Sequence, residues 1–239
     1  MNVNGSIALV TGGNRGLGAR LVDNLLDAGA GKVYVTARDP HGVASTVSAD
    51  PRVSVLELDV TDQASVDAAA KAANDVTLLV NNAGVLGFGS ALEGDLDLFQ
   101  RDMLTNQIGL LRVSRAFVPV LTANAPGAIV NVLTLIALAP VVGMAGYCAS
   151  KAAAHSVTQS LRAELRDKGI EVLGAYPGGI DTDMLAGVDA DKAAPEVVAE
   201  RIIAGVAAGQ AVIWPDDASA GASSVYLADP VGLERMLAG

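Results

Sequence analysis

Short apolar runs alternate with longer stretches of helical spacing along the whole chain. Ile7-Ala8-Leu9-Val10 is the first run; Leu21, Val22, Leu25 and Leu26 then recur at helical spacing before Gly29 stops the pattern. Carried to the end, this alternation predicts strands near 6–11, 32–37, 53–58, 76–81, 128–134, 170–176 and 211–214. Helices are expected near 17–29, 40–48, 62–74, 96–123, 147–168 and 195–208. Strands that alternate with helices imply βαβ units, so we expect an α/β fold: a doubly wound parallel sheet of about seven strands with helices on both faces. No repeat, linker or low-complexity tract breaks the series, and residues 1–239 are expected to form a single domain. In such a sheet ligands bind at the carboxyl ends of the strands.

Composition sharpens this. The chain is 51% hydrophobic but only 3% aromatic, so its core is built of Ala, Val, Leu and Ile, as suits a parallel sheet buried on both faces. A net charge of −10 argues against nucleic acid or an anionic membrane as partner. The lone cysteine, Cys148, rules out an internal disulfide framework and fits a reducing, cytoplasmic location; no signal peptide is expected. Residues 116–150 lack any Asp, Glu, Lys or Arg, and a hydropathy scan is drawn to 129–149. Asn131, Thr134, Pro140, Gly143 and Gly146 interrupt that stretch, which reads as a buried strand and an apolar loop rather than a membrane span. His and Cys are too few and too scattered for a metal site.

Candidate chemistry sits at two places. Thr11-Gly12-Gly13-Asn14-Arg15-Gly16-Leu17-Gly18 lies between the first apolar run and the first helical stretch. Glycines there permit a tight turn and let a pyrophosphate approach the helix N-terminus. Tyr147-Cys148-Ala149-Ser150-Lys151 opens an alanine-rich helix and puts a phenol and an ammonium on one helix face. A nearby positive charge favours phenolate, so Lys151 is expected to lower the pKa of Tyr147 and make it a general acid/base. Taken alone, the pair reads equally as a surface Tyr and Lys.

The glycine spacing G-x-x-x-G-x-G together with Tyr147-x-x-x-Lys151 resembles the short-chain dehydrogenase/reductase family, in its shorter, single-domain branch. Asn81-Asn82-Ala83-Gly84, Asn106 and the Pro177-Gly178 turn are similar to further motifs of that family. The resemblance implies a Rossmann-type sheet in the order 3-2-1-4-5-6-7, a nicotinamide cofactor, and hydride transfer between an alcohol and a ketone or aldehyde. It assigns cofactor binding to Gly12, Asn14, Arg15, Gly16, Leu17 and Gly18, then to Asn82, Ala83 and Gly84 at the ribose, with Tyr147 and Lys151 shared. Asp59 and Val60 fall at the adenine, although Asp59 reads as readily as a turn or cap residue. Pro177, Gly178, Ile180 and Thr182 fall at the nicotinamide carboxamide. Catalysis is assigned to Asn106, Thr134, Tyr147 and Lys151. Thr134 is a departure: the family has a serine thirteen residues before the tyrosine, and the extra methyl stiffens the side chain.

Cofactor choice turns on the end of the second strand. Arg38 there, with Arg15 in the glycine turn, points to NADP(H) over NAD(H), because Arg accommodates a 2′-phosphate. Asp39 is followed by Pro40 and reads as a helix N-cap turned from the ribose. Val85, Leu86, Phe88, Leu135, Ile136, Leu138, Val141, Val142, Met184 and Leu185 lie just past strand ends and make the expected substrate a neutral, largely apolar carbonyl or alcohol. Residues 184–195 are expected to form a lid. Apolar positions Leu104, Ile108, Leu111 and Phe117 point to a homo-oligomer, tetramer or dimer. The tail after Trp214 caps the sheet edge, the pocket or a subunit contact. A non-enzymatic NADP(H)-binding sensor is the alternative function, with the Thr134 change in its favour.

Overall fold

The computed structural model describes residues 1–44, 47 and 49–238. Seven parallel strands, β1 (Ile7–Thr11), β2 (Lys32–Ala37), β3 (Val53–Glu57), β4 (Leu78–Asn81), β5 (Gly127–Val132), β6 (Ile170–Ala175) and β7 (Val212–Ile213), form one sheet in the order β3-β2-β1-β4-β5-β6-β7. Because side chains alternate across a strand, β1 sends Ala8 and Val10 to one face and Leu9 to the other. On the first face Leu21, Val22 and Leu25 of α1 (Gly16–Asp27) and Val198, Ile202 and Val206 of α6 (Pro195–Ala207) complete one core. The second face packs against α2 (Gln63–Ala72), α4 (Leu110–Ala123) and α5 (Ala145–Leu165), with Val66, Phe117 and Leu161 inside. Each such fully buried side chain contributes about 1.5–3 kcal/mol, so these two layers hold the strand ends in place.

The expected helix over 96–123 is present but divided. α3 (Leu96–Asp102) passes into a π-helical segment, Met103–Gly109, before α4 resumes the α-helix. Of the helix expected over 40–48, Pro40–Gly42 form a 3-10 turn and residue 47 is helical, while residues 45, 46 and 48 lie outside the described residues. Asp39 caps that turn, accepting from the His41 amide at 2.9 Å, with Pro40 at its first position as the sequence implied. Two elements follow where no structure was assigned: α7 (Asp217–Ala228) and α8 (Pro230–Ala238). They fold back over the 3-10 turn Leu135–Ala137, where Ala222 and Leu233 bury Leu135 and Ala139. Leu135 therefore faces these helices instead of an open pocket. The uncharged stretch 129–149 becomes β5, this turn and the first residues of α5, and no helix among the described residues is long and apolar enough to cross a membrane.

Candidate active site

The glycine turn joins β1 to α1 with Gly12 and Gly16 in left-handed conformations, φ +63° and +53°. Glycine, having no Cβ, adopts such angles at little cost, whereas other residues are strained there. At Gly18 the limit is space: an added Cβ would collide with the Gly12 carbonyl and lie 2.6 Å from the Asn82 side-chain nitrogen. Arg15 occupies the N-cap of α1 and offers no side-chain acceptor to the first helical amides. Those donors and the positive end of the helix dipole are therefore left for a ligand, and an anionic group such as a dinucleotide pyrophosphate suits them. Leu17 is buried in the core beneath, and Asn14 lies beside Gly42.

Thr11 ties this turn to the end of β4. Its hydroxyl accepts from the Asn82 and Ala83 amides, both at 2.9 Å, while the Asn82 side chain donates to the carbonyls of Thr11 and Gly12. Asn81 turns the other way, donating to Ser114 and Asn131, and Asn131 donates in turn to Thr158 of α5. A buried polar ladder thus fixes β4, β5 and the helix that carries Tyr147 in one register.

Gly84 is where two of the four candidate catalytic side chains, Asn106 and Lys151, meet. A Cβ there would lie 3.1 Å from the Asn106 oxygen and 3.7 Å from Lys151 Nζ. Asn106, in the π segment, accepts from the Val85 amide and donates to the Val85 carbonyl and to Ser150 Oγ, each at 2.9 Å. Ser150 donates to the Tyr147 carbonyl at 2.7 Å, so Asn106 is coupled to the tyrosine turn of α5. Lys151 is buried and donates to the Val132 carbonyl at 2.8 Å, with Nζ 5.8 Å from the Tyr147 ring centre. Burial pulls its pKa down to about 8. Tyr147 is also buried, and its pKa is raised by that burial, then by Cys148 and Asp102. The expected lowering by Lys151 is not found: burial raises the phenol's pKa, and the ammonium stands 5.8 Å from the ring centre. Thr134 donates to the Pro177 carbonyl at 3.2 Å and stands at the N-cap of the 3-10 turn.

The turn after β6 closes the site. Thr182 lies against Gly16, where a Cβ would approach its methyl to 3.5 Å. Gly178 donates its amide to Asp216, and Ile180 bridges to Ala193 so that the segment between them leaves and returns at one point. Arg15 is exposed and sits 3.5 Å from Asp183 of that segment. Asp59 accepts from the amide and hydroxyl of Thr61; burial opposes ionisation, but these bonds with Arg38 and Arg112 nearby hold its pKa down. Val60 meets Gly109 of the π segment. Glycine turn, β4 end, Tyr147 helix and Pro177–Thr182 turn are therefore contiguous. Arg38 stands at the rim, exposed and near Asp59.

Three contributors escaped sequence reasoning. Thr11 opens the glycine stretch but carried no role of its own there, although a polar residue that ends an otherwise apolar strand is a signal for one. Asp102, fully buried, accepts from the Gly87 amide at 2.8 Å and from Arg101, and so fixes the wall beside Tyr147. Asp216 announces itself only as an N-cap, with Ser219 three residues on completing a capping box.

Against known proteins, residues 6–193 match the short chain dehydrogenase family. A 3-alpha-(or 20-beta)-hydroxysteroid dehydrogenase of Mycobacterium tuberculosis is 35% identical over 191 residues, 78% of this chain and 74% of that protein. The crystal structure of a short chain dehydrogenase from Burkholderia cenocepacia in complex with NADP superposes with a TM-score of 0.93 at 36% identity over 99% of each chain. A 3-ketoacyl-(acyl-carrier-protein) reductase from Brucella melitensis, complexed with NADH, gives 0.79 at 28% identity over 87% of this chain and 93% of that one. Family match, sequence identity and overall fold agree, and this chain belongs to the short chain dehydrogenase family of oxidoreductases.

Proposed function

We propose that the protein is an NADP(H)-dependent oxidoreductase that interconverts a neutral, largely apolar ketone or aldehyde and its alcohol, with Tyr147 as general acid/base. The observation that carries this reading is the meeting of Asn106 and Lys151 at Gly84, with Ser150 linking Asn106 to the Tyr147 turn. A nicotinamide, when bound, supplies or accepts the hydride. The chain's part is to bind, orient and move one proton. Gly12, Asn14, Arg15, Gly16, Leu17 and Gly18 would hold the pyrophosphate end, Asp59 and Val60 the adenine, and Asn82, Ala83, Gly84 and Lys151 the ribose. Pro177, Gly178, Ile180 and Thr182 would hold the carboxamide.

In the reductive direction Tyr147 gives its phenolic proton to the substrate oxygen. Burial keeps that proton on the ring until it is needed. Lys151, cationic below a pKa of about 8, stabilises the phenolate left behind. Thr134 can turn its hydroxyl from the Pro177 carbonyl to the same substrate oxygen, since the bond it gives up is long. Phe88, Val142 and Met184, three large apolar side chains left exposed on loops beyond the strand ends, favour an apolar substrate. The hydroxysteroid relative is named for a substrate of that kind. Arg38, exposed beside Asp59 at the adenosine end, favours a 2′-phosphate, and Arg15, exposed in the glycine turn with Asp183 3.5 Å away, adds positive charge to the cofactor cleft.

The test is loss of NADPH absorbance with a panel of apolar ketones, repeated with NADH and with Tyr147→Phe. Wild type should turn over at least one ketone, prefer NADPH, and lose about 100-fold or more in rate on the substitution while still binding cofactor. An active Tyr147→Phe variant overturns the mechanism. Tight NADPH binding without turnover of any ketone favours the sensor.

A further inference from the structure

Asp216 belongs to the tail and lies beyond the stretch matched to the family, yet its carboxylate is buried and reaches into the site. One oxygen accepts from the Ser219 amide at 2.8 Å and caps α7; the other accepts from the Gly178 amide at 2.9 Å. The neighbouring Pro177 carbonyl receives the Thr134 hydroxyl at 3.2 Å and the Leu135 amide at 2.8 Å. One peptide unit therefore links the tail's carboxylate to the hydroxyl proposed to hold the substrate. No room is left for slack, since a Cβ on Gly178 would stand 3.1 Å from the Asp216 oxygen.

The turn is held from its other side as well. Tyr176, next to Pro177, lies 2.6 Å through its hydroxyl from His155 Nδ1, and its ring tilts against Trp214 with centres 5.0 Å apart. Trp214 joins the cluster in which Ala222 and Leu233 cover Leu135. A helix cap alone explains one oxygen of Asp216. It does not explain the second, which satisfies an amide in a different element 38 residues away.

We propose that Asp216 is a positioning residue for the nicotinamide half of the site: by holding the Gly178 amide it fixes the Pro177–Gly178 peptide on which the carboxamide-binding turn and the Thr134 hydroxyl both depend. The inference rests on the proposed nicotinamide-dependent function. It requires that loss of Asp216 be felt by a ligand that carries nicotinamide and not by one that lacks it.

Calorimetric binding separates these. NADPH or NADH, whichever wild type binds more tightly, is compared with the ADP-ribose that bears the same 2′-group (2′-phospho-ADP-ribose for NADPH) and lacks only the nicotinamide. Asp216→Ser keeps a helix-capping oxygen but cannot serve two amides, and Ser219→Ala disturbs the cap while leaving the bond to Gly178. In Asp216→Ser the dinucleotide affinity should fall about tenfold with ADP-ribose unchanged, the scale of one unmade hydrogen bond; Ser219→Ala should keep the wild-type ratio. Turnover should fall in Asp216→Ser only. Should Asp216→Ser fail to fold, Asp216→Asn, with one acceptor for two amides, is read the same way. Equal losses for both ligands, or none, overturn the inference and leave the proposed function standing. A wild-type protein that binds neither dinucleotide overturns both.

Discussion

Lys151 carries its amino group inside the protein with one carbonyl as partner, and this has a measurable consequence for stability. Its pKa is about 8 in the folded chain against an ordinary 10.5. Between those values the unfolded chain binds a proton that the folded chain does not, so stability rises with pH across that window. Below pH 8 both forms are protonated and the burial penalty is felt in full. Tyr147, with its pKa raised, works in the opposite sense, because the folded form keeps a proton that the unfolded form loses; that effect begins only near pH 10. Urea unfolding of wild type and Lys151→Met should therefore diverge from pH 8 to 10, wild type gaining on the order of 1–3 kcal/mol relative to the variant. A difference that stays flat would mean that the ammonium is solvated in the folded state. This residue also marks the limit of the sequence. Tyr147 and Lys151 on one helix face were legible from spacing. The direction of the tyrosine shift was not, because it depends on burial by elements distant in the chain.

At the scale of elements, the π segment shows how a local expense can point to a site. Asn106 and Gly109 are poor choices for the middle of a helix, and both are explained by contacts. Asn106 spends its side chain on Val85 and Ser150. Gly109 lies so close to Val60 that a Cβ would come within 2.8 Å of its Cγ2 and 3.2 Å of its carbonyl. Gly109→Ala would gain about 1 kcal/mol in helix propensity but lose about 1–3 kcal/mol to overpacking, so net destabilisation is expected. Val60→Ala makes room, and the double variant should be at least ~1 kcal/mol more stable than the two single losses predict. Strict additivity in such a cycle would show that the two elements do not press on each other. The seven strands were legible because each is a short apolar run between helical stretches. β5 ends earlier than expected because Pro177, opposite Thr134, has no amide with which to extend the ladder. α7 was not legible: Asp217-Ala218-Ser219-Ala220-Gly221-Ala222-Ser223-Ser224 has the composition of a loop, and packing on Leu135 and Trp214 decides its state.

At the scale of the whole molecule, the apolar side chains left outside the core raise the question of self-association. Phe117, expected at a subunit contact, is wholly buried within its own chain and is withdrawn from that role. Leu104 and Ile108, one turn apart on the π segment, remain 42% and 39% exposed, and Leu96 on α3 is 71% exposed. Phe88 and Leu92 on the preceding loop are exposed as well. Burying these side chains against a second copy is favourable at about 25 cal/mol per Å², and a stable dimer buries roughly 1,200–2,000 Å² in total. Charge works against it, since each chain brings a net −10. Apolar contact opposed by like charge should strengthen as salt screens the repulsion. Light scattering at about 0.15 M salt should then give a multiple of the 24.1 kDa chain mass, shifting toward smaller species at low salt. Leu104→Glu with Ile108→Glu should yield single chains without loss of the folded far-ultraviolet spectrum, because neither side chain is part of the buried core. A wild-type mass of 24.1 kDa at every concentration and salt would overturn the interface, as would a double variant that associates as wild type does.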